Sequence, residues 1–374
     1  MQQQHYRVFD AWRFAAALVV MLYHFLHYDP NAASWLPDTA ARLQQVIDLF
    51  FILSGFVIMS AYANTEWTAA GFRRFIVRRL SRIYPMHLLT LGFFTALGVG
   101  GVLGVVPIAN PARYDFSTLP AQVLLVHAWG VMPELTFNYV SWSISAEWMA
   151  YLLFPLMTIA FRRGGLPALF VLFIGAALGV ELLVGVGVIP QERWIDTATF
   201  GAFRALPSFI LGCCCAVVIE RWRIPVRTLL PGALVFVLTI VGMATLETPY
   251  VILGGFALAT VLTAGAERNN PDCSRIFARF RLLGQASFGI YMLHPVFGSF
   301  LMALIWERLL GPAGVVNFYL WLAFGVVLVI AGAAQFTSLS QMQEAAPVFL
   351  VIAAGLAVNL RMAIYSAALA PHLG

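Results

Sequence analysis

Long apolar runs, broken by short polar segments, make up nearly the whole chain. A bilayer core needs roughly 20 apolar residues per helix. Ten runs come close to that length, at about 11–28, 43–62, 83–106, 142–161, 166–189, 201–219, 229–246, 249–266, 283–306 and 314–334. A further apolar stretch, 345–370, follows them. The segment "LPAQVLLVHAWG" (119–130) is too short to span and is expected to re-enter the membrane or lie at its interface. The pattern predicts an all-α, polytopic membrane protein of about ten transmembrane helices plus an atypical hydrophobic tail. It divides the chain into a membrane domain, 1–334, and a tail, 335–374, to which the pattern assigns no role.

Composition excludes a soluble fold. Of the 374 residues, 61% are hydrophobic and 10% charged, against about 25% charged in a soluble domain. All 22 basic residues are Arg. With the N-terminus in the cytoplasm, fifteen arginines fall in inside loops and four (Arg42, Arg113, Arg193, Arg308) outside, with three more in or beside spans. That bias is the positive-inside pattern, so the net charge of +5 reads as topology and no nucleic-acid partner is expected. The start, "MQQQHYRVFDAWRF", lacks a small-residue cleavage site, and the first span is read as retained. Cys213, Cys214 and Cys215 are adjacent and show neither zinc spacing nor a disulfide framework; no metal is expected. Matched broken helices in two halves, the mark of an inverted-repeat transporter, are not seen.

Seven ionisable residues nevertheless fall inside apolar runs: Arg13, His24, Asp48, Glu147, Glu181, Arg204 and His294. Each costs about 2.5–3.5 kcal/mol on insertion scales and so points to the bundle interior and to function. Arg13 and His24 are eleven residues apart in "RFAAALVVMLYH". At about 100° per residue they share one face, roughly 16 Å apart along the axis. A snorkelling Arg and a carbonyl-bonded His is the plainer alternative. Asp48, in "IDLFFILSGFVI", is expected at the depth of His24. A carboxylate there would fix the imidazole tautomer and leave the other nitrogen as a base; an interfacial helix cap is the alternative. Ser54 and Gly55 fit close helix packing as well as a site.

In "FRRFIVRRLSRIYP", Arg78 and Arg82 are i,i+4 with Arg79 adjacent. Such a cluster can clamp phosphate bidentately, or serve only topology and lipid head groups. In "NYVSWSISAEWMAYLLFP", Ser143 and Glu147 share a face while Ser145 lies elsewhere. The rings of Trp142, Trp148 and Tyr151 suit a membrane-interface belt. His294, in "LGQASFGIYMLHP", either belongs to a site or satisfies carbonyls freed by Pro295.

Taken together, "RFAAALVVMLYH", "IDLFFILSGF", "RRLSRIYP", "SWSISAEWMAYLLFP" and "SFGIYMLHP" resemble the motifs, in order, of the acyltransferase-3 family of bacterial membrane proteins. The resemblance covers residues 5 to about 330. It implies ten spans in the bacterial inner membrane, a cytoplasmic acyl-CoA donor, commonly acetyl-CoA, and a hydroxyl acceptor on a surface polysaccharide, lipopolysaccharide or exported metabolite. By the same resemblance, Arg13 and His24 match the family's essential Arg and His, and Arg79 and Arg82, with Arg78 beside them, its arginine motif. Ser143, Ser145 and Glu147 match its serine–glutamate motif. The tail departs from this family. Its "VNLRMAIYSAALAPHLG" resembles a fragment of the branched-chain amino acid exporter family, too short for a working permease.

Residues and resemblance lead to one expectation. Acyl-CoA phosphates sit on Arg78, Arg79 and Arg82, with Arg13 guiding the cofactor. The pantetheine arm threads inward, and His24 acts as general base on an acceptor hydroxyl, oriented by Asp48 or Glu147. An acyl-His intermediate is the less favoured variant, and Ser143 or a helix amide is the oxyanion donor. The expected partners are membrane lipid and a glycan or glycolipid acceptor. A permease for a small solute or glycolipid, without acyl transfer, is the competing class.

Overall fold

A computed structural model describes residues 5–29, 42–108, 110–196, 198–245 and 248–342. The described residues are mostly helical, with no strand among them. The principal helices are α1 (Arg7–Leu26), α2 (Val46–Tyr62) and α3 (Ala69–Val102), the short α4 (Leu119–Val123), then α5 (Trp142–Gly185), α6 (Gly201–Arg221), α7 (Leu230–Thr245), α8 (Pro249–Asn269), α9 (Arg281–Phe297) and α10 (Phe318–Met342). A π-helical stretch, Gly298–Leu310, prolongs α9. Among the described residues, eight helical stretches are long and apolar enough to cross a membrane, and α7 is a shorter apolar helix. The protein is therefore an all-α, multi-pass membrane protein. Helix α5 bends at Gly165, whose φ of +66° is left-handed, and its two arms take up the fourth and fifth apolar runs. With those arms counted separately and α7 added, the predicted runs up to residue 334 all have a helix.

Two elements differ from the hydropathy reading. The third run was expected to begin near residue 83, but α3 starts at Ala69, capped by the Thr68 hydroxyl, which accepts from the Gly71 amide at 3.1 Å. The arginine segment is thus the exposed first half of the same helix. Hydropathy registers only the membrane half, while the N-terminal half is held as helix by its Thr68 cap and by the inward packing of Phe75. The segment 119–130 does not span. After α4 it turns back through Leu125 (φ +56°) and Gly130 (φ +77°), with Leu119, Gln122, Leu125, His127 and Ala128 buried. Such irregular backbone is tolerated at membrane depth only where protein encloses it. Here Ser145 encloses it: its hydroxyl accepts from the Ala128 amide (3.0 Å) and donates to the Leu125 carbonyl (2.8 Å). The apolar run 345–370 and most of the tail lie outside the described residues.

Helix α6 is the hub, with its most extensive contacts to α5 and α2, while α1 packs along α9 and α9 along α10. The α2–α6 crossing is close because each helix offers a glycine. A Cβ on Gly55 would overlap the Phe209 carbonyl, and one on Gly212 the Ile52 carbonyl. Small residues that let backbones approach are the usual means of tight helix association in membranes. Gly55 therefore packs, which leaves its neighbour Ser54 to face the interior. Gly212→Val is expected to force the crossing apart at about 1–3 kcal/mol, seen as a lowered thermal midpoint of detergent-purified protein; an unchanged midpoint would mean the two helices do not seat this closely.

Candidate active site

Three arginines meet in one cleft. Arg13 comes from α1 and Arg79 and Arg82 from α3; Ser54, Ser143, Glu147, Tyr151 and Tyr291 complete the wall around about 830 Å³ of empty space, mouth included. Arg79 and Arg82 are three residues apart and so share a helical face, which Phe75, Ile83 and Met86, all buried, turn inward. Arg79 lies over the rings of Tyr62 (5.6 Å), Phe75 (5.9 Å) and Tyr151 (6.0 Å), and its buried Nε has no hydrogen-bond partner. Arg78 does not join them. It is exposed and lines no part of this cleft, because the inward face of α3 runs through 79 and 82 and leaves 78 to one side. The cleft carries three guanidinium groups against the single carboxylate of Glu147. That imbalance favours an anionic ligand.

The cleft is the middle of a path that follows α1. Toward the N-terminal end it shares Arg13, Val57 and Arg82 with a cavity whose walls include His5 and Asp10. Toward the other end it shares Ile47 and Tyr291 with a cavity lined by His24, Tyr23, Gln44, Tyr139, Trp142 and Asp196. Arg13 lines the first two of these cavities and His24 the third, so the two residues face neighbouring spaces along α1.

The surroundings of His24 correct two expectations. Asp48 does not touch it. The Asp48 carboxylate is fully buried, ion-paired to Arg204 Nη2 at 2.9 Å and accepting from the Ser208 hydroxyl at 2.9 Å. Arg204 is itself buried, bonded also to the Ile195 carbonyl and lying 5.3 Å over Trp142. The close α2–α6 crossing brings Arg204 to Asp48 first. Glu147 does not orient His24 either. Its carboxylate accepts from Ser54 Oγ, and it lines the arginine cleft and not the histidine cavity. Ser143 lines the cleft too, its hydroxyl donating to the Val140 carbonyl at 3.2 Å. What surrounds His24 is rings: Tyr23 at 4.8 Å and Tyr139 at 4.9 Å, both edge-on, and His294 at 5.2 Å, stacked.

Sequence reading left His294 open between a site and a kink, and passed over Tyr139 and Tyr291. A signal was present, since Tyr291 and His294 are three apart on α9 and share a face. Glu181 lies exposed on the second arm of α5, beside Tyr250, and takes no part in the site.

A ring-enclosed histidine and an arginine-lined cleft thus lie in neighbouring cavities of one helical membrane bundle. The family model described as an acyltransferase domain matches residues 6–337, and the chain belongs to that family, the acyltransferase-3 membrane proteins. It is similar to Acyltransferase MdmB of Streptomyces mycarofaciens, 26% identical over 309 residues that cover 75% of this chain and 76% of the relative. It is also similar to Protein 2 in the picA locus of Rhizobium radiobacter, 29% identical over 38% of this chain and 85% of the relative. A third relative is Nodulation protein 10 of Rhizobium leguminosarum bv. viciae, 28% identical over 42% of this chain and 46% of the relative. A second model, the AzlC protein of the branched-chain amino acid exporter family, matches residues 314–374. The two matches therefore overlap in the segment that forms most of α10. No solved structure matches the chain significantly. The protein is an acyltransferase of the non-aminoacyl type.

Proposed function

We propose that the protein moves an acyl group, acetyl by preference, from cytoplasmic acyl-CoA to a hydroxyl of a surface or exported glycan or lipid-linked sugar, in the bacterial inner membrane with its N-terminus inside. The observation that carries this reading is the path along α1 from a three-arginine cleft to a histidine cavity. Donor phosphates pair with Arg79, Arg82 and Arg13. The uncharged arm passes Ser143, Glu147 and Tyr291, and the roughly 16 Å between Arg13 and His24 along the helix suits its reach. The acceptor enters the His24 cavity from the opposite side. Its aromatic and polar lining, with Tyr139, Trp142, Gln44 and Asp196, fits a sugar, which has apolar faces and a polar edge.

The chemistry is then a direct transfer. His24 takes the proton of the acceptor hydroxyl as the oxygen attacks the thioester carbon. The new C–O bond forms, the C–S bond breaks, and the proton on His24 passes to the departing thiolate. Asp48 belongs to the scaffold in this reading, and Glu147 with Ser54 forms a hydrogen-bonding step along the arm.

Donor binding tests the cleft. A hydrogen bond to a charged group contributes about 1.5–3 kcal/mol, so Arg79→Gln with Arg82→Gln is expected to weaken radiolabelled acetyl-CoA binding to nanodisc-embedded protein by more than about tenfold. Arg78→Gln is expected to leave it unchanged. Equal losses at all three positions would mean that these arginines act only as a general positive surface. No loss at Arg79 and Arg82 would remove the donor from this cleft.

A further inference from the structure

The base assigned above lacks the group that orients most catalytic imidazoles. Among the described residues no carboxylate is bonded to His24: Asp48 is engaged by Arg204, Glu147 by Ser54, and Asp196, in the same cavity, by Arg193. Yet the ring sits between two elements of the bundle and must hold one plane for its nitrogen to meet a hydroxyl. The face of the ring is covered by His294, with centroids 5.2 Å apart and planes 20° from parallel. His294 is fully buried, with Tyr291 and Phe25 closing its other sides at 6.0 and 6.4 Å.

The sequence supplies a reason for an imidazole at 294. Pro295 follows it inside α9, and a proline has no N–H for the carbonyl four residues back. That carbonyl belongs to Tyr291. The His294 ring lies against the carbonyls of Ile290 and Tyr291, although neither of its nitrogens makes a hydrogen bond of good geometry. The ring plane is set by packing, with Tyr291 and Phe25 edge-on to it, and the plane is what a stacked neighbour reads.

We propose that His294 is the positioning residue for His24, its stacked ring fixing the plane of the imidazole, the orienting part of what a bonded carboxylate does for other histidine bases. The proposal rests on the assignment of His24 as base. A neutral ring avoids placing another anion in the membrane interior, where an ionised side chain costs several kcal/mol. It also confines the proton. Two imidazolium rings this close repel, so the pair carries one proton at a time. The ring that lines the cavity, His24, is the one that meets the acceptor hydroxyl. His294 makes and breaks no bond.

The experiment compares side chains at 294 in nanodisc-embedded protein. It measures acetyl transfer from radiolabelled acetyl-CoA to envelope material from a strain lacking the gene. His294→Leu fills the volume without a flat face and frees His24 to turn. Misplacing a reacting group by about 1 Å can cost about 10²-fold, so kcat is expected to fall by about that factor with the KM for acetyl-CoA unchanged. His294→Phe restores a flat ring and is expected to recover to within a few-fold of wild type. A wild-type kcat in the Leu variant overturns the proposal. So does a Phe variant as slow as Leu while binding donor normally, since the nitrogens and not the stack would then be at work. His24→Ala, measured alongside, reads separately: wild-type transfer there overturns the base assignment itself.

Discussion

His24→Ala is expected to stop acyl transfer while leaving the protein folded and its acetyl-CoA affinity within about twofold of wild type. General-base catalysis contributes about 10²–10⁴ in rate. At about 1.36 kcal/mol per tenfold, that removes roughly 3–5 kcal/mol of transition-state stabilisation. The structural cost is small by comparison, because the ring is half-buried on a cavity wall and bonded to no other side chain among the described residues. Donor affinity is spared because the arginines that would hold the phosphates line the neighbouring cleft. The measurement pairs single-turnover transfer from radiolabelled acetyl-CoA with equilibrium donor binding on the same preparation. Binding lost together with transfer would make His24 part of the donor site. Transfer at the wild-type rate would move the base elsewhere, and Asp196 in the same cavity would be the next side chain to replace.

Hydropathy made the bundle legible because membrane spans must be long and apolar. It could not show that α3 begins fourteen residues before its apolar run, since Ala69–Arg82 is helical without being greasy. Nor could it show that the fourth and fifth runs are two arms of one bent helix hinged at Gly165. The site was legible along helices and illegible between them. Periodicity alone put Arg13 and His24 on one face. It could not choose between Arg78 and Arg79, because either shares a face with Arg82 at helical spacing; the choice was made by the burial of Phe75, Ile83 and Met86.

Depth misled in the same way. Hydropathy puts Asp48 and His24 at similar levels on successive helices, and sequence order suggests they are partners. The partner of Asp48 is instead on α6, far along the chain, because Gly55 and Gly212 let those two backbones close. Lateral neighbours in a membrane bundle follow from small-residue contacts, which a hydropathy profile does not resolve. His294 was missed as a neighbour for a related reason: the stretch "YMLHP" fits a proline-kinked helix by itself, and only the packing of α9 along α1 sets its ring on His24.

Asp48→Ala is expected to destabilise the fold by about 3–5 kcal/mol, the usual consequence of leaving a buried charge unpaired. Arg204 would lose its 2.9 Å partner while remaining enclosed among Gln44, Ile195 and Trp142. Arginine cannot shed its proton to escape. Asp48→Asn keeps a group able to accept from Arg204 and Ser208, and is expected to lose less. Replacing both partners with apolar residues of similar volume, Asp48→Leu with Arg204→Met, is expected to recover much of the loss, as buried ion pairs often contribute little beyond their own desolvation. The double-mutant cycle, completed by the Asp48→Leu and Arg204→Met single variants, is read on stability alone, as the thermal midpoint and the monodisperse fraction of purified protein. Strong coupling, with the double variant more stable than Asp48→Ala, is the signature of a structural ion pair. An Asp48→Ala protein that melts with wild type yet transfers no acyl group would return Asp48 to the chemistry. The carboxylate would then have to leave Arg204 during turnover to reach the imidazole.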